Sequence, residues 1–158
     1  MNGRIFIIHN KKEIKKWWIG GGFDLTPYVP YKIDAELWHK SAKDFLNKFN
    51  KTYYSKFAKN CDEYFYLPHR DEQRGIGGIF FDNLKHKNIT SSLSLLANMF
   101  ETYLTSYKKI INRRLNSKFS IDEKKFQLYR RGRYVEFNLL FDRGTKFGIE
   151  SGGRTDSI

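Results

Sequence analysis

The sequence predicts an α+β fold in which helices cover a mainly antiparallel sheet. Apolar residues recur at helical spacing through the middle of the chain, alternate or run together near both ends, and are separated by glycine-rich, hairpin-like turns. With 158 residues, 40% hydrophobic and 17% aromatic, the chain has the material for one packed core. It shows no repeat, low-complexity tract or linker, so residues 1–158 are read as a single domain.

Arg4-Ile5-Phe6-Ile7-Ile8 reads as a short buried strand, and Lys11 to Lys16 as a solvated connection. Trp17-Trp18-Ile19 then leads into Gly20-Gly21-Gly22, where the backbone must bend or approach something closely. Asp34 is placed to cap a helix running to about Phe49, with Leu37, Trp38, Ala42, Phe45, Leu46 and Phe49 on one face. A second helix is expected from Tyr53 to Tyr64, and a strand from Ile76 to Asp82. Thr90 is the expected cap of a longer third helix carrying Leu93, Leu96, Phe100, Leu104, Tyr107 and Ile111. From Tyr134 to Phe141 the period becomes two, with Val135, Phe137, Leu139 and Phe141 on one side, which predicts a long strand. Arg143-Gly144-Thr145-Lys146 reads as a turn, and Phe147-Gly148-Ile149 as the start of a returning strand. The chain opens directly into a strand and stops just after a glycine-rich loop, as a cut fragment would.

No run of about eighteen apolar residues occurs, so no transmembrane helix is expected. The opening residues lack a signal-peptide layout, which points to the cytoplasm. The single cysteine, Cys61, excludes an intramolecular disulfide framework and any multi-thiolate cluster. It reads as a small helix residue. The net charge of +12 fits a polyanionic partner: nucleic acid, an acidic membrane surface or a polycarboxylate. Lysines outnumber arginines roughly two to one, so compositional bias accounts for the lysine excess equally well. The arginines are more informative, because several sit beside glycine: Arg74-Gly75, Arg131-Gly132-Arg133, Arg143-Gly144 and Gly153-Arg154. A guanidinium grips a carboxylate in a two-pronged fork, and glycine lets a ligand come near the backbone. Each one alone is also an ordinary turn.

Asp24 follows the glycine run and precedes Thr26-Pro27, as either a base or anchor for ligand N–H groups or a turn cap. His39 and His69 form a conceivable but underpopulated metal pair, since catalytic zinc normally takes three protein ligands. His9 and His86, among lysines, read as surface residues. Glu136 and Asn138 are either satisfied core polar groups or cavity-facing ones.

GGGFDLTPY (20–28), CDEYFYLPHR (61–70), EQRGIGGIFFDNL (72–84) and FQLYRRGRYVEFNLLFDRGTKFGIESGGRTDSI (126–158) resemble, in order and spacing, the oxygen-dependent coproporphyrinogen III oxidases. The resemblance implies a homodimer with a large antiparallel sheet flanked by helices on both faces. It implies oxidative decarboxylation of two propionates of coproporphyrinogen III to vinyl groups, giving protoporphyrinogen IX, with O₂ as oxidant and CO₂ and hydrogen peroxide as products. By the same resemblance Asn2, Gly3, Arg4, Gly152, Gly153 and Arg154 match substrate-contacting positions. Asp24, Asp142 and Arg143 match residues of substrate handling, with Asp24 set to hold or deprotonate a pyrrole. His39 and His69 match ligands of a divalent ion, Mn²⁺ in bacterial members. No flavin, haem or iron–sulfur cluster is implied, and the one thiol cannot hold the cluster of the anaerobic alternative. The resemblance also implies further chain before Met1, bearing a proton-donor histidine, and after Ile158. Leu37 departs from a family histidine, and Gly3 from a bulkier residue. The competing readings are an inactive relic of the same family and a basic RNA-binding module built on Arg130 to Tyr134. No RNA-recognition signature supports the latter, so no nucleic-acid partner is expected.

Overall fold

The computed structural model describes residues 1–9 and 17–154. The expected connection Lys11–Lys16 and the last four residues lie outside them. In chain order the elements are β1 (Asn2–His9), β2 (Trp17–Asp24), α1 (Lys32–Asn47), α2 (Tyr53–Phe65), β3 (Tyr66–Leu67), a 3₁₀ turn (Pro68–Arg70), β4 (Glu72–Gln73) and β5 (Gly78–Leu84). Three helices follow: α3 (Ile89–Arg114), α4 (Ile121–Leu140) and α5 (Arg143–Glu150). The fold is α+β, as the patterning predicts. The sheet is small, however: three antiparallel strands ordered β1-β2-β5, with β3 and β4 forming a separate two-stranded ladder.

β2 is the central strand, and its glycines belong to the strand itself. A β-carbon on Gly20 would strike the Phe6 ring, and one on Gly22 the carbonyl of Ile79. Between them, a β-carbon on Gly21 would meet Arg4 O at 2.7 Å. The run therefore lets both neighbouring strands close on β2, which is the close approach the sequence predicts, and the β2–β5 register shifts between Ile19 and Gly21. β1, expected to be buried, is an edge strand with Ile5, Ile7 and Ile8 about half exposed.

The main core lies where α1, α2 and α3 meet the sheet. Ile19, Trp38, Ala42, Leu46 and Leu95 are completely buried, and Phe57 stacks on Phe81 at 4.7 Å. Two capping expectations resolve differently. Tyr31 is the N-cap of α1, and Asp34, one turn in, is claimed by Arg113 (2.6 Å) and Arg114 (2.6 Å) of α3. Burial alone would raise the Asp34 carboxyl, but those two bonds outweigh it and hold it below its ordinary value. For α3 the cap is Asn88, which accepts from Ser91 N at 2.9 Å, while Thr90 lies inside the helix.

The largest correction concerns residues 121 onward. The expected strand Tyr134–Phe141 is the last two turns of α4 with Phe141 as its C-cap, and the expected turn and returning strand at 143–149 are α5. Ser120 and Glu123 build a reciprocal capping box (3.1 and 2.7 Å), so the helix is started upstream of the alternating residues and runs on through them. Phe137 and Phe141 also satisfy a helical i, i+4 spacing, and Tyr134 precedes Phe137 by three. That face buries Phe137 completely against Phe65, with Cys61 and Leu67 in the same cluster. Val135 and Leu139, on the strand pattern's apolar side, stay about half exposed.

Candidate active site

Asp24 ends β2 opposite Gly78 of β5, where two backbone bonds pin the crossing chains: Leu25 N–H to Gly77 O (3.1 Å) and Ile76 N–H to Leu25 O (3.0 Å). Gly75 has no room for a side chain, because a β-carbon there would meet Leu25 O at 2.5 Å. This crossing sets Arg74 against Asp24, and its Nη2 donates to Asp24 Oδ2 in an ion pair buried on both sides. Arg74 is 3% exposed and Asp24 4%. The guanidinium is boxed by the rings of Phe65 (3.8 Å), Phe137 (4.8 Å) and Tyr134 (4.9 Å). Burial pushes the Asp24 carboxyl above its ordinary value, against Arg74, the Met1 amino group and Asn2, which lower it.

A second acidic residue, Asp142, caps α5. It accepts from the Thr145 backbone N–H (2.7 Å), the Thr145 hydroxyl (3.0 Å) and the Tyr64 hydroxyl (3.1 Å). Burial opposes ionisation here too, but these donors prevail and the carboxyl lies below its usual range. The Arg143 guanidinium stands 5.2 Å over the Tyr64 ring, and Arg4 approaches Gly144 at the same corner.

Between these groups lies a cavity of about 440 Å³, lined by Asn2, Arg4, Asp24, Arg74, Asn138, Asp142, Arg143 and Thr145, with Tyr64, Phe65, Phe80 and Tyr134 as aromatic walls. That size is usual for a small-molecule site. Arg4 and Arg143 beside Asp142 at one corner, the Asp24–Arg74 ion pair, and the amides of Asn2 and Asn138 suit a ligand bearing both carboxylates and N–H donors. A second, more apolar cavity of about 350 Å³ lies among Tyr28, Tyr31, Ile110 and Phe119 and contains none of the expected site residues.

Of the residues that the resemblance implicates, Asn2, Arg4, Asp24, Asp142 and Arg143 meet at the first cavity. Gly3, Gly152, Gly153 and Arg154 do not line it; Gly3 packs against Tyr103, and Gly153 follows α5, bonded to Gly148 O at 2.8 Å. His39 and His69 stand on different elements. His39 donates from Nε2 to Ile76 O (2.7 Å), since a carbonyl only accepts, and its Nδ1 takes the Tyr54 hydroxyl (3.2 Å). Neither nitrogen keeps a lone pair for a metal. His69 Nε2 lies 2.7 Å from Glu136 Oε1, and its ring stacks on Phe141 at 5.6 Å. Among the described residues no three His, Cys, Asp or Glu side chains gather as a metal site.

The whole chain, residues 1–158, matches the family model described as coproporphyrinogen III oxidase. The chain belongs to the coproporphyrinogen III oxidase family. It is 56% identical over 157 residues to the oxygen-dependent coproporphyrinogen-III oxidase of Francisella tularensis subsp. novicida (strain U112) and 53% identical to that of Francisella philomiragia subsp. philomiragia. Each match covers 99% of this chain and 51% of the relative. The chain thus spans about half the length of these curated relatives.

In this family member three features, two of them at the site, differ from what the sequence suggests. Arg74 was one of several candidate carboxylate grips, yet it is committed to Asp24. Tyr64 and Thr145, not singled out by the sequence, line the cavity through a helix–helix contact that needs α4 to be helical, beside Asn138, which takes the cavity-facing alternative. His86, read as a surface residue, is 4% exposed, bonded through Nδ1 to the Tyr53 hydroxyl (2.9 Å) and set edge-on to Phe49. His9 is exposed, as expected. Arg131 is exposed on α4, and Arg133 faces Glu72 (3.3 Å) and Glu136 (3.7 Å).

Proposed function

We propose that this chain contributes the substrate cavity of an oxygen-dependent coproporphyrinogen III oxidase. The observation that carries the reading is the meeting of Arg4, Asp24, Asp142 and Arg143 at one cavity in a chain of this family. Arg4 and Arg143 take propionate carboxylates of coproporphyrinogen III as charge-assisted hydrogen bonds. Asp24 accepts from the pyrrole N–H groups and stabilises the electron-rich ring during oxidation. Each round removes CO₂ and a hydride equivalent from one propionate. The hydride goes to O₂, which takes up one proton to leave as hydrogen peroxide, and a vinyl group remains. Two rounds yield protoporphyrinogen IX. Asn2, which lines the same cavity, adds a polar substrate contact in this reading.

O₂ is the co-substrate. To bind a divalent ion, His39 or His69 would have to give up Ile76 O or Glu136, so no role here depends on one. The working enzyme is a homodimer with a large sheet flanked by helices on both faces. The exposed Ile5, Ile7 and Ile8 of edge strand β1 and the apolar stripe Leu93, Phe100, Leu104 and Ile111 of α3 support such cover. Among the described residues no helix is long and apolar enough to cross a membrane.

The test is conversion of coproporphyrinogen III by this chain alone and within a polypeptide of its relatives' length, in air and without oxygen. Oxygen-dependent formation of protoporphyrinogen IX, lost in R4M and R143M, is the expected result. Full turnover in both variants would sink the assignment.

A further inference from the structure

We infer that Arg74 is a positioning residue: its guanidinium holds the Asp24 carboxylate charged and aimed into the cavity, and does not itself take a substrate carboxylate. The inference rests on the proposed function for what Asp24 does, and on geometry alone for what Arg74 does.

Three observations carry it. Arg74 is sealed by three aromatic faces, so its charge is met by ring quadrupoles above and below and by Asp24 at its edge. Its Nε is buried with no hydrogen-bond partner, so the side chain is fixed by the box and the carboxylate, not by a shell of polar groups waiting for a ligand. The backbone also leaves little freedom: Arg74 N–H donates to Phe65 O (3.1 Å), and the Gly75–Gly78 crossing pins both partners' strands. Arg4 and Arg143 differ, being exposed on the cavity corner where a ligand can reach them.

A carboxylate so deeply buried would take up a proton unless a fixed charge opposed its burial. The other groups bearing on Asp24 are the Met1 amino group, Asn2, the Cys61 thiol and the Tyr103 hydroxyl. Among these side chains Arg74 supplies the one permanent positive charge. The charge state of Asp24, and with it the capacity to accept pyrrole N–H groups, therefore passes through Arg74.

The test has two arms. In the first, the Asp24 side-chain carboxyl is titrated by ¹³C NMR in the native chain, R74M and R74K. R74M should raise the titration by about one pH unit or more, and R74K should recover part of it. An unmoved titration in R74M overturns the inference. Should R74M not fold, R74K alone decides, since loss of the planar fork should still lift the midpoint. In the second arm, affinity for coproporphyrin III, a stable tetracarboxylate, is followed by fluorescence in D24N, R74M and D24N/R74M. Adding R74M to D24N should change affinity by less than about twofold. Additive losses would mean that Arg74 grips a propionate directly, and overturn the inference. If the native chain binds no coproporphyrin, the functional reading fails while the NMR arm still judges Arg74.

Discussion

His69 and Glu136 meet across 67 residues of chain, with Nε2 and Oε1 2.7 Å apart, and Arg70 closes on the same carboxylate through Nε (2.7 Å) and Nη2 (2.8 Å). These bonds tie the 3₁₀ turn after α2 to the C-terminal part of α4, beside the cavity wall. Hydrogen bonds from Arg70 and His69 hold the Glu136 carboxyl down at about 2, from an ordinary 4.5. A carboxyl whose folded value is depressed adds stability above its unfolded value and loses it as pH falls toward the folded one. The contact should therefore be intact above about pH 4.5 and fade toward pH 2. Acid unfolding followed by circular dichroism should show this, and E136Q should flatten the pH dependence in that window while leaving the rest of the curve in place.

Phe137 is the anchor of α4. Its complete burial among Phe65, Cys61 and Leu67 makes Phe137→Ala cost about 3–5 kcal/mol in urea unfolding. Because Tyr134 and Asn138 of the same turns line the cavity, coproporphyrin affinity should fall with it. A loss under about 1 kcal/mol would mean that α4 is not packed through this face.

Asp34→Asn removes a charge that accepts from both Arg113 and Arg114 and ties α1 to the end of α3. Hydrogen bonds to charged groups contribute about 1.5–3 kcal/mol, and the partial exposure of both arginines places the expected loss at the lower end. Urea midpoints of D34N against the native chain measure it, with the difference shrinking as pH drops and Asp34 protonates.

Two glycine substitutions should move stability in opposite directions. Gly22→Ala drives a β-carbon into the Ile79 carbonyl, which cannot move without parting β2 from β5, and should cost about 1–3 kcal/mol or more. Gly132 sits inside α4 with nothing within 4 Å of an added β-carbon, so Gly132→Ala should stabilise by up to about 1 kcal/mol. Thermal unfolding of the pair separates steric need from helix propensity.

R4M and R143M should each weaken coproporphyrin III binding about tenfold or more, with a shallower salt dependence, since each removes one charged grip at the cavity corner. R131M, on the exposed side of α4, should bind as the native chain does.

The helices α1, α2 and α3 and the strands β1 and β5 were legible as elements, but not always by face: Leu93, Phe100, Leu104 and Ile111 of the expected α3 stripe are exposed while Leu95, Met99, Tyr103 and Ile110 are buried, and β1 is an exposed edge. Residues 134–149 carry two apolar periods. Phe137 and Phe141 fit both an alternating and a helical face, so no local pattern ranks them, and the choice depends on a capping box fourteen residues before Tyr134 and on what Phe137 finds to pack against. His86 differs from its sequence reading for a related reason: its lysine neighbours describe the chain around it, while its burial comes from Phe49 just after α1 and Tyr53 of α2. At the site, Asp24, Arg4, Asp142 and Arg143 were marked by glycine neighbours and family motifs, but nothing local reveals that Arg74 is already spoken for.

By itself the sequence determined the family, the α+β class, the central helices and several of the charged residues that line the cavity. Only the tertiary structure decided which arginines face that cavity and which is locked to Asp24, which way the ambiguous C-terminal segment folds, and that His39 keeps no nitrogen free. Periodicity and capping act within a few residues along the chain. The pairing of a buried charge is settled by groups fifty or more residues away, once burial has removed the water that would otherwise satisfy them.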